Sequence, residues 1–248
     1  TDVDGSTTST ISTVTVNSLP TIGITGDNTI CPGESTTLTP TGGVSYVWSP
    51  GGETSTLLTV FPTSDTLYSV IGTNANGCSS SATFTVTVNS LPTIGISGNN
   101  TICLTESTTL TAAGAASYIW SPGGQTTPTI SVSPTSDTTY SVIGTDANGC
   151  ANNSATFTVT VNSLPTIGVS GNNTICLTES TTLTAAGAAS YIWSPGGQTT
   201  PTISVSPTSD TTYSVIGTDA NGCANNSATF TVTVNSLPTI GITGNLII

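Results

Sequence analysis

The chain is dominated by an internal repeat that occurs three times. Residues 90–162 and residues 163–235 are equal in length and differ only at Ile96, which Val169 replaces in the later copy. Residues 18–89 form a more divergent and slightly shorter copy. A repeat of this length predicts one small folded unit, whose hydrophobic core is marginal in size.

Neither end of the chain coincides with a boundary of the repeat. Residues 1–17 match the tail of a repeat, and residues 236–248 begin with the opening of another. We expect residues 1–17 to hold the terminal strand or strands of a preceding repeat. Residues 236–248 are expected to hold the first strand of a following repeat. Neighbouring repeats or other subunits are therefore expected as partners of this chain.

Composition excludes several classes of function. The 248 residues include no lysine, arginine or histidine, and the formal net charge is −12. Without histidine there is no imidazole base for a Ser-His-Asp or Cys-His nucleophile. Nucleic-acid binding depends on cationic side chains, so we expect no nucleic-acid partner. No apolar run reaches the length of a membrane span, and we expect no direct membrane insertion.

Short segments of alternating polarity, separated by turn signals, predict β-strands throughout each repeat. In the first repeat Ser45–Ser49 ends at a Pro-Gly-Gly sequence, and Thr66–Thr73 runs into an Asn-Gly turn. The last strand is the clearest, because Ala82, Phe84 and Val86 alternate with threonines. About seven strands without helical periodicity predict an all-β fold, with one antiparallel β-sandwich in each repeat.

Six cysteines keep a constant spacing, since the same number of residues separates the two cysteines of every repeat. Cysteines in a Thr-rich acidic chain favour an oxidising, extracellular compartment. Because the repeats are nearly identical, we expect each repeat to close its own disulfide. The expected pairs are Cys31–Cys78, Cys103–Cys150 and Cys176–Cys223. The alternative is a thiolate metal site, but two cysteines per repeat without histidine do not suit zinc, and we expect no metal and no other cofactor.

Each repeat contains one tryptophan, at a fixed distance after its first cysteine, in the third predicted strand. A tryptophan on this strand packs against the opposite sheet in immunoglobulin-like sandwiches, which predicts a core position. The alternative is an aromatic platform on which a sugar stacks. These residues are Trp48, Trp120 and Trp193.

Acidic residues suggest two further kinds of site. Glu34, Glu106 and Glu179 hold the same place in three repeats, but a glycosidase needs two carboxylates that face one cleft. Asp146 and Asp219 each begin an Asp-Ala-Asn-Gly sequence that resembles half of a calcium loop. Asn-Gly is also a hairpin turn signal with positive φ at both residues. We expect turns at these places, no metal and no enzymatic activity.

Five segments of each repeat, taken in order, resemble a known family. They are Cys-x-x-Glu-Ser-Thr-Thr-Leu-Thr, Ser-Tyr-x-Trp-Ser-Pro-Gly-Gly, Asp-Thr-x-Tyr-Ser-Val-Ile-Gly-Thr, Asn-Gly-Cys and Thr-Val-Thr-Val-Asn. They are similar to the PKD-like and immunoglobulin-like tandem repeats of giant cell-surface adhesins of gliding and other Bacteroidota, which use the type IX secretion system. Ser-Pro-Gly-Gly stands where the PKD pattern has Asp-Phe-Gly-Asp-Gly, which weakens any calcium expectation.

The resemblance implies tandem immunoglobulin-like (PKD-like) antiparallel β-sandwich domains at 18–89, 90–162 and 163–235, arranged as a rod. The function it implies is structural, as a stalk or filament segment of an extracellular adhesin on the bacterial cell surface. It also implies O-glycosylation at Asp-Thr sequences, with Thr66, Thr138 and Thr211 as candidate acceptors.

Two alternative functions stay open at this point. The sandwich loops or an exposed aromatic side chain could recognise a glycan or another surface ligand. Near-identity of two repeats argues against this, because recognition units usually diverge in their loops. The other alternative is a self-assembling fibre, whose end strands are shared between subunits by strand addition.

Overall fold

The computed structural model describes residues 4–5, 9–242 and 244, and these residues are organised as β-structure. Within them 21 strands fall into three sets of seven, one set in each repeat. Threonine, valine and isoleucine suit these strands, because β-branched side chains pack well on a pleated, half-buried surface. No helix in the described part of the chain is long and apolar enough to cross a membrane.

The strands have nearly the same bounds in the three repeats. The first repeat contains β1 (Gly23–Thr25), β2 (Thr29–Ile30), β3 (Thr36–Thr41), β4 (Ser45–Ser49), β5 (Leu58–Val60), β6 (Thr66–Thr73) and β7 (Ser79–Val88). The second contains β8 (Gly95–Ser97), β9 (Thr101–Cys103), β10 (Thr108–Ala113), β11 (Ser117–Ser121), β12 (Thr129–Val132), β13 (Thr138–Thr145) and β14 (Ala155–Asn162). The third contains β15 (Gly168–Ser170), β16 (Thr174–Cys176), β17 (Thr181–Ala186), β18 (Ser190–Ser194), β19 (Thr202–Val205), β20 (Thr211–Thr218) and β21 (Ala228–Asn235).

Each repeat forms one three-stranded and one four-stranded sheet. The orders in the first repeat are β1-β3-β5 and β2-β7-β6-β4, and the other two repeats keep these orders. The strand pairs of the first repeat are antiparallel, except that β2 runs parallel to β7. The second strand is also parallel to the last strand in the other two repeats. The sandwich is therefore mixed rather than purely antiparallel, because the chain bends after β1 and crosses to the edge of the other sheet. The fold is all-β and immunoglobulin-like.

The core of the first repeat lies between its two sheets. Leu38 on β3 and Trp48, Val70 and Val86 on the four-stranded sheet are at most 1% exposed and form one cluster. The indole N–H of Trp48 donates to the carbonyl oxygen of Ser55 at 3.0 Å, so this buried polar group is satisfied. An equivalent cluster occupies the third repeat, and the equivalent residues of the second repeat are also buried.

The described chain divides into two compact units that do not follow the repeat boundaries. One unit contains Thr1–Ile94, Gly114–Ser117 and Ile143–Asn153, and the other contains Gly95–Ala113, Tyr118–Val142 and Ser154–Ile248. Sheet membership, in contrast, follows the repeats. The domain boundaries at 18–89, 90–162 and 163–235 therefore stay predictions.

The strands expected at the two ends are not formed in the described residues. Ile11, Val14 and Val16 are 92%, 83% and 90% exposed, and Ile240 and Ile242 are 84% and 94% exposed. A strand needs a neighbour that accepts its backbone hydrogen bonds. No described strand pairs with either segment. The remainder of these two predicted segments, residues 1–3, 6–8, 243 and 245–248, lies outside the described residues.

The buried tyrosines predict how stability depends on pH. Burial raises the pKa of Tyr68, Tyr140 and Tyr213 above the ordinary value of 10.0, because the interior favours the neutral phenol. Their contribution is therefore intact below pH 10 and is lost as the pH rises through the raised folded-state pKa. The free energy of unfolding should therefore fall as the pH rises above about 10.

The matched control is the triple Tyr→Phe variant, which cannot ionise at these three positions. Both proteins should carry serine at the two free cysteines, which prevents thiolate exchange at high pH. Urea unfolding followed by tryptophan fluorescence measures the difference. An equal loss of stability in the two proteins would contradict the assignment.

Candidate functional site

Two disulfides each join the first cysteine of one repeat to the second cysteine of the next. The bonded pairs are Cys31–Cys150 and Cys103–Cys223. Their Cα atoms are 5.5 Å apart in both cases, which is an ordinary disulfide separation. Each bond lies inside one of the two compact units. Cys78 and Cys176 are free thiols.

The expectation that each repeat closes its own disulfide is wrong, and the parallel pairing of β2 with β7 explains why. In the second repeat Cys103 is in register with Asn162, at the end of the last strand. The second cysteine of each repeat comes just before that strand begins. The last strand of the first repeat has ten residues, which at about 3.3 Å per residue separates its ends by about 30 Å. A disulfide spans Cα atoms no more than about 7 Å apart, so the two cysteines of one repeat cannot meet.

The turn that carries the first cysteine is closed by the glutamate three residues later. Cys31 donates its N–H to Oε2 of Glu34 at 2.9 Å, and Glu34 donates its own N–H to the carbonyl oxygen of Cys31 at 3.1 Å. The other two repeats form the same pair of bonds. These glutamates, which include Glu106 and Glu179, therefore fix the backbone of the first cysteine of each repeat.

The turn that carries the second cysteine is held by an Asx side chain. Oδ1 of Asp146 accepts hydrogen bonds from the N–H groups of Asn148 and Cys150, both at 2.9 Å. Asp219 makes the same two bonds in the third repeat, and Asn74 makes them in the first. The predicted turn is present here, but only the glycine has positive φ, which is 87° at Gly149. The expectation of positive φ at both residues is wrong, because the side-chain bonds stabilise a different turn.

The carboxylates of these turns do not gather around a metal position. Each Oδ1 or Oε2 atom already accepts backbone N–H groups of its own turn. In the described part of the chain, no three side chains of His, Cys, Asp or Glu come together as a metal-binding group.

At each of the two cysteine positions of the repeat, the linked residues are less exposed than the free one. The second cysteines Cys150 and Cys223 are 0% exposed, whereas the free Cys78 is only partly buried. The first cysteines Cys31 and Cys103 are partly buried, whereas the free Cys176 is exposed. The leucines of the Asn-Ser-Leu-Pro segments follow the same pattern. Leu91 and Leu164 are partly buried, but Leu19 and Leu237 are 69% and 55% exposed.

The three predicted core tryptophans lie inside the sandwiches. Trp48, Trp120 and Trp193 are 1%, 0% and 1% exposed. Each indole N–H donates to a backbone carbonyl oxygen at 3.0 Å. Their faces are not open to solvent, so they provide no platform on which a sugar could stack.

The candidate glycosylation residues lie at the corner before the sixth strand of each repeat. The hydroxyls of Thr66, Thr138 and Thr211 donate to a serine carbonyl two residues earlier, at 2.7, 2.7 and 2.8 Å. The preceding aspartate is also engaged, since Oδ1 of Asp65 accepts the N–H of Val88 at 2.9 Å. These bonds give the Asp-Thr sequence a structural role, and its glycosylation stays a prediction.

Digestion of the non-reduced protein tests the pairing. The peptide that contains Cys31 should be joined to an Asp-Ala-Asn-Gly-Cys-Ala peptide, and an alkylating reagent should label Cys78. Trypsin cannot be used, because the chain has no lysine or arginine, so chymotrypsin is the suitable protease. The sequences around Cys150 and Cys223 are identical, so the two peptides cannot be told apart in the unmodified protein. In a Cys223→Ser variant, the peptide joined to Cys31 can come only from Cys150. Detection of a Cys31–Cys78 peptide would refute the assignment.

The Asx turn predicts that two substitutions of Asp146 differ in their effect on stability. Asp146→Ala leaves the N–H groups of Asn148 and Cys150 without their acceptor and should lower the free energy of unfolding by about 1–2 kcal/mol. Asp146→Asn should cost little, because Asn74 makes the same bonds in the first repeat. Urea unfolding of the two oxidised variants measures the difference. Equal destabilisation by alanine and asparagine would show that the side-chain oxygen is not what matters.

Comparison with known proteins gives similarities in fold only. No protein-family model matches the chain, and no curated protein matches it. Among solved structures, a Ca²⁺-stabilized adhesin of an Antarctic bacterium that binds ice is 16% identical, with a TM-score of 0.45 over 92% of this chain and 76% of its own. A 1.5-MDa bacterial ice-binding adhesin is 17% identical, with a TM-score of 0.38 over 90% of this chain and 100% of its own. The Bacteroides ovatus protein SGBP-B, solved with a mixed-linkage heptasaccharide, is 17% identical, with a TM-score of 0.24 over 90% of this chain and 72% of its own. The strand order and the core of the repeats establish the immunoglobulin-like fold independently of these similarities.

Proposed function

We propose that the chain is a load-bearing segment of an extracellular stalk or filament, built from immunoglobulin-like repeats that disulfides link in series. The observation that carries this proposal is the overlap of the two disulfides. The loop closed by Cys31–Cys150 contains Cys103, and the loop closed by Cys103–Cys223 contains Cys150. When the chain is pulled from its ends, the shortest covalent path therefore runs through both bonds.

The overlap shortens the covalent path that carries a pulling force. The backbone from Cys31 to Cys223 contains 192 residues. Through both disulfides, the shortest path crosses to Cys150, follows the backbone to Cys103 and crosses to Cys223, which includes only 47 residues. At about 3.5 Å per extended residue, the fully stretched lengths are about 670 Å without the disulfides and about 165 Å with them. The oxidised chain can therefore extend between these two cysteines to only about a quarter of the length that the reduced chain reaches.

The disulfides also supply stability that small sandwiches lack. Each bond joins cysteines 119 or 120 residues apart. Closing a loop of this size is worth about 4–5 kcal/mol in the chain-entropy model, which is close to the whole stability of a small domain. Disulfides persist in oxidising surroundings, which supports an extracellular location.

The finer parts of the proposal rest on the sequence motifs. The five ordered segments that resemble Bacteroidota adhesin repeats support a bacterial cell-surface adhesin of the gliding-motility, type IX secreted kind. Direct joining of repeats through Asn-Ser-Leu-Pro supports a semi-rigid, rod-like arrangement, because proline restricts the backbone at each join. The partners proposed are further repeats or copies of the chain, and no catalytic role is proposed.

Single-molecule pulling from the two chain ends tests the load-bearing role. When the oxidised protein is completely unfolded, the extended length between Cys31 and Cys223 should be about 165 Å. Addition of a reductant should raise this length to about 670 Å. The increase follows directly from the overlap of the disulfides.

A double variant provides the matched control. Cys103→Ser with Cys223→Ser leaves only the bond between Cys31 and Cys150, after which the backbone alone connects position 150 to position 223. Its extended length should be intermediate, at about 255 Å. If the oxidised protein stretched as far as the reduced protein, the proposed function would be wrong.

A further inference from the structure

The turn before the second cysteine of each repeat contains an asparagine that is followed by glycine. In the second repeat these residues are Asn148 and Gly149, and in the third they are Asn221 and Gly222. We propose that Asn148 and Asn221 are sites of spontaneous deamidation in the folded protein, where each side-chain amide becomes a carboxylate beside a bridging cysteine. The inference goes beyond the proposed function, because it concerns the covalent stability of the disulfide turns themselves.

The turn leaves the backbone nitrogen of Gly149 open to attack a neighbouring carbon. Gly149 has a φ of 87°, a conformation that residues with a side chain rarely adopt, so the fold favours glycine at this position. A Cβ added at Gly149 would meet nothing within 4 Å, and the same holds for Gly222, whose φ is 86°. The residue after each asparagine therefore has no side chain that shields its nitrogen, and no other group packs at the place where a side chain would begin.

The side-chain amide of Asn148 is available for the reaction. Asn148 and Asn221 are exposed, and within the described residues their side-chain amides form no hydrogen bond. The backbone N–H of Asn148 donates to Oδ1 of Asp146 at 2.9 Å, which leaves the side chain itself unrestrained. Rotation of this side chain can bring its Cγ atom toward the nitrogen of the next residue.

Neighbouring asparagines lack one or both of these features. Oδ1 of Asn152 accepts the N–H of Gly144 at 2.6 Å, so its side chain is held in place. Asn153 is exposed like Asn148, but it is followed by Ser154, whose Cβ hinders approach to the backbone nitrogen. Deamidation should therefore be concentrated at Asn148 and at its equivalent in the third repeat.

The reaction needs only water and a base. The nitrogen of Gly149 loses its proton to hydroxide and bonds to Cγ of Asn148, while the bond from Cγ to Nδ2 breaks. Nδ2 takes a proton from water and leaves as ammonia, which regenerates the hydroxide. Water then adds to one of the two carbonyl carbons of the resulting succinimide ring and breaks its bond to nitrogen. Opening at Cγ gives aspartate, and opening at the backbone carbonyl carbon gives isoaspartate.

Hydrogen bonds of the turn slow the reaction without preventing it. Gly149 donates its N–H to the carbonyl oxygen of Asp146 at 3.2 Å, and this bond must open before the nitrogen can attack. The equivalent bond from Gly222 to Asp219 is also 3.2 Å. This length lies at the long, weak end of the normal range for an N–H donor and an oxygen acceptor.

Either product changes the turn that holds a bridging cysteine. Aspartate adds a negative charge near Asp146, in a chain that has no lysine or arginine to compensate it. Isoaspartate also adds one carbon atom to the backbone before Gly149. This addition displaces the N–H of Cys150 from Oδ1 of Asp146, to which it donates at 2.9 Å. Since Cys150 is bonded to Cys31, deamidation weakens the support of the disulfide without breaking the disulfide.

Peptide mapping of the oxidised full chain, after timed incubation in mildly alkaline buffer, tests the proposal. Digestion with pepsin in acid prevents further reaction during the analysis. The peptides of Asn148 and Asn221, which are identical in sequence, should lose their amide several-fold faster than the peptides of Asn153 and its equivalent. Both aspartate and isoaspartate should appear, and ammonia should be released in the same amount.

The matched control is Asn148→Gln, which keeps an exposed amide but would have to form a larger ring, so the reaction at this position should be lost. Its changed sequence also lets Asn221 be followed separately, at an unaltered rate. Asp146→Ala removes the side-chain bonds of the turn and should speed the reaction at Asn148 several-fold while Asn221 stays unchanged.

The unfolded chain, in urea with reductant, gives the reference rate. If the folded chain kept both amides while the unfolded chain lost them, or lost them no faster than at Asn153, the proposal would be overturned. Loss of the amide at the same rate in Asn148→Gln would also overturn it, since the ring would then not be the route. An unaltered rate in Asp146→Ala would show that the turn does not restrain the reaction.

Discussion

The parallel pairing of the second strand of each repeat with its last strand decides where the cysteines lie. Because β9 runs alongside β14, Cys103 lies opposite Asn162, at the end of the strand that leads into the next repeat. The second cysteine lies before that strand, about a full strand length away. A repeat therefore presents one sulfur toward the repeat before it in sequence and the other toward the repeat after it. Every consequence for linkage and extension depends on this strand pair.

Local hydrogen bonds hold both sulfurs in position without a large core. Glu34 closes the turn of Cys31, and Asp146 closes the turn of Cys150, in each case through a bond to the cysteine N–H. Hydroxyl pairs such as Thr37 with Thr59, 3.1 Å apart, stabilise neighbouring strands on the exposed face. A chain without cationic side chains forms no Lys or Arg ion pair, so its sheets depend on these neutral bonds, on buried apolar side chains and on disulfides.

The side chains that suggest chemistry in the sequence have structural partners in the fold. The three tryptophans are buried and hydrogen-bonded, and the acidic residues of the cysteine turns accept backbone N–H groups. What the molecule presents in repeated form is a covalent path through overlapping disulfides. That path converts the long segment between Cys31 and Cys223 into a short tether, and this is the property on which the proposed stalk or filament function rests.

The sequence by itself determined the all-β class, the strand alternation and most strand positions, because period-two patterns and turn residues act over a few neighbouring residues. Ser45–Ser49 and Thr66–Thr73, for example, have the predicted bounds. The disulfide partners could not be obtained in this way, since nearly identical repeats give equally good spacing within a repeat and between repeats. Tertiary structure decided between them through one parallel strand pair, whose hydrogen bonds join segments far apart in the chain, as at Thr101 and Thr160. A local sequence pattern does not indicate which distant strand pairs with a given strand, on which side it lies, or whether the pair is parallel or antiparallel.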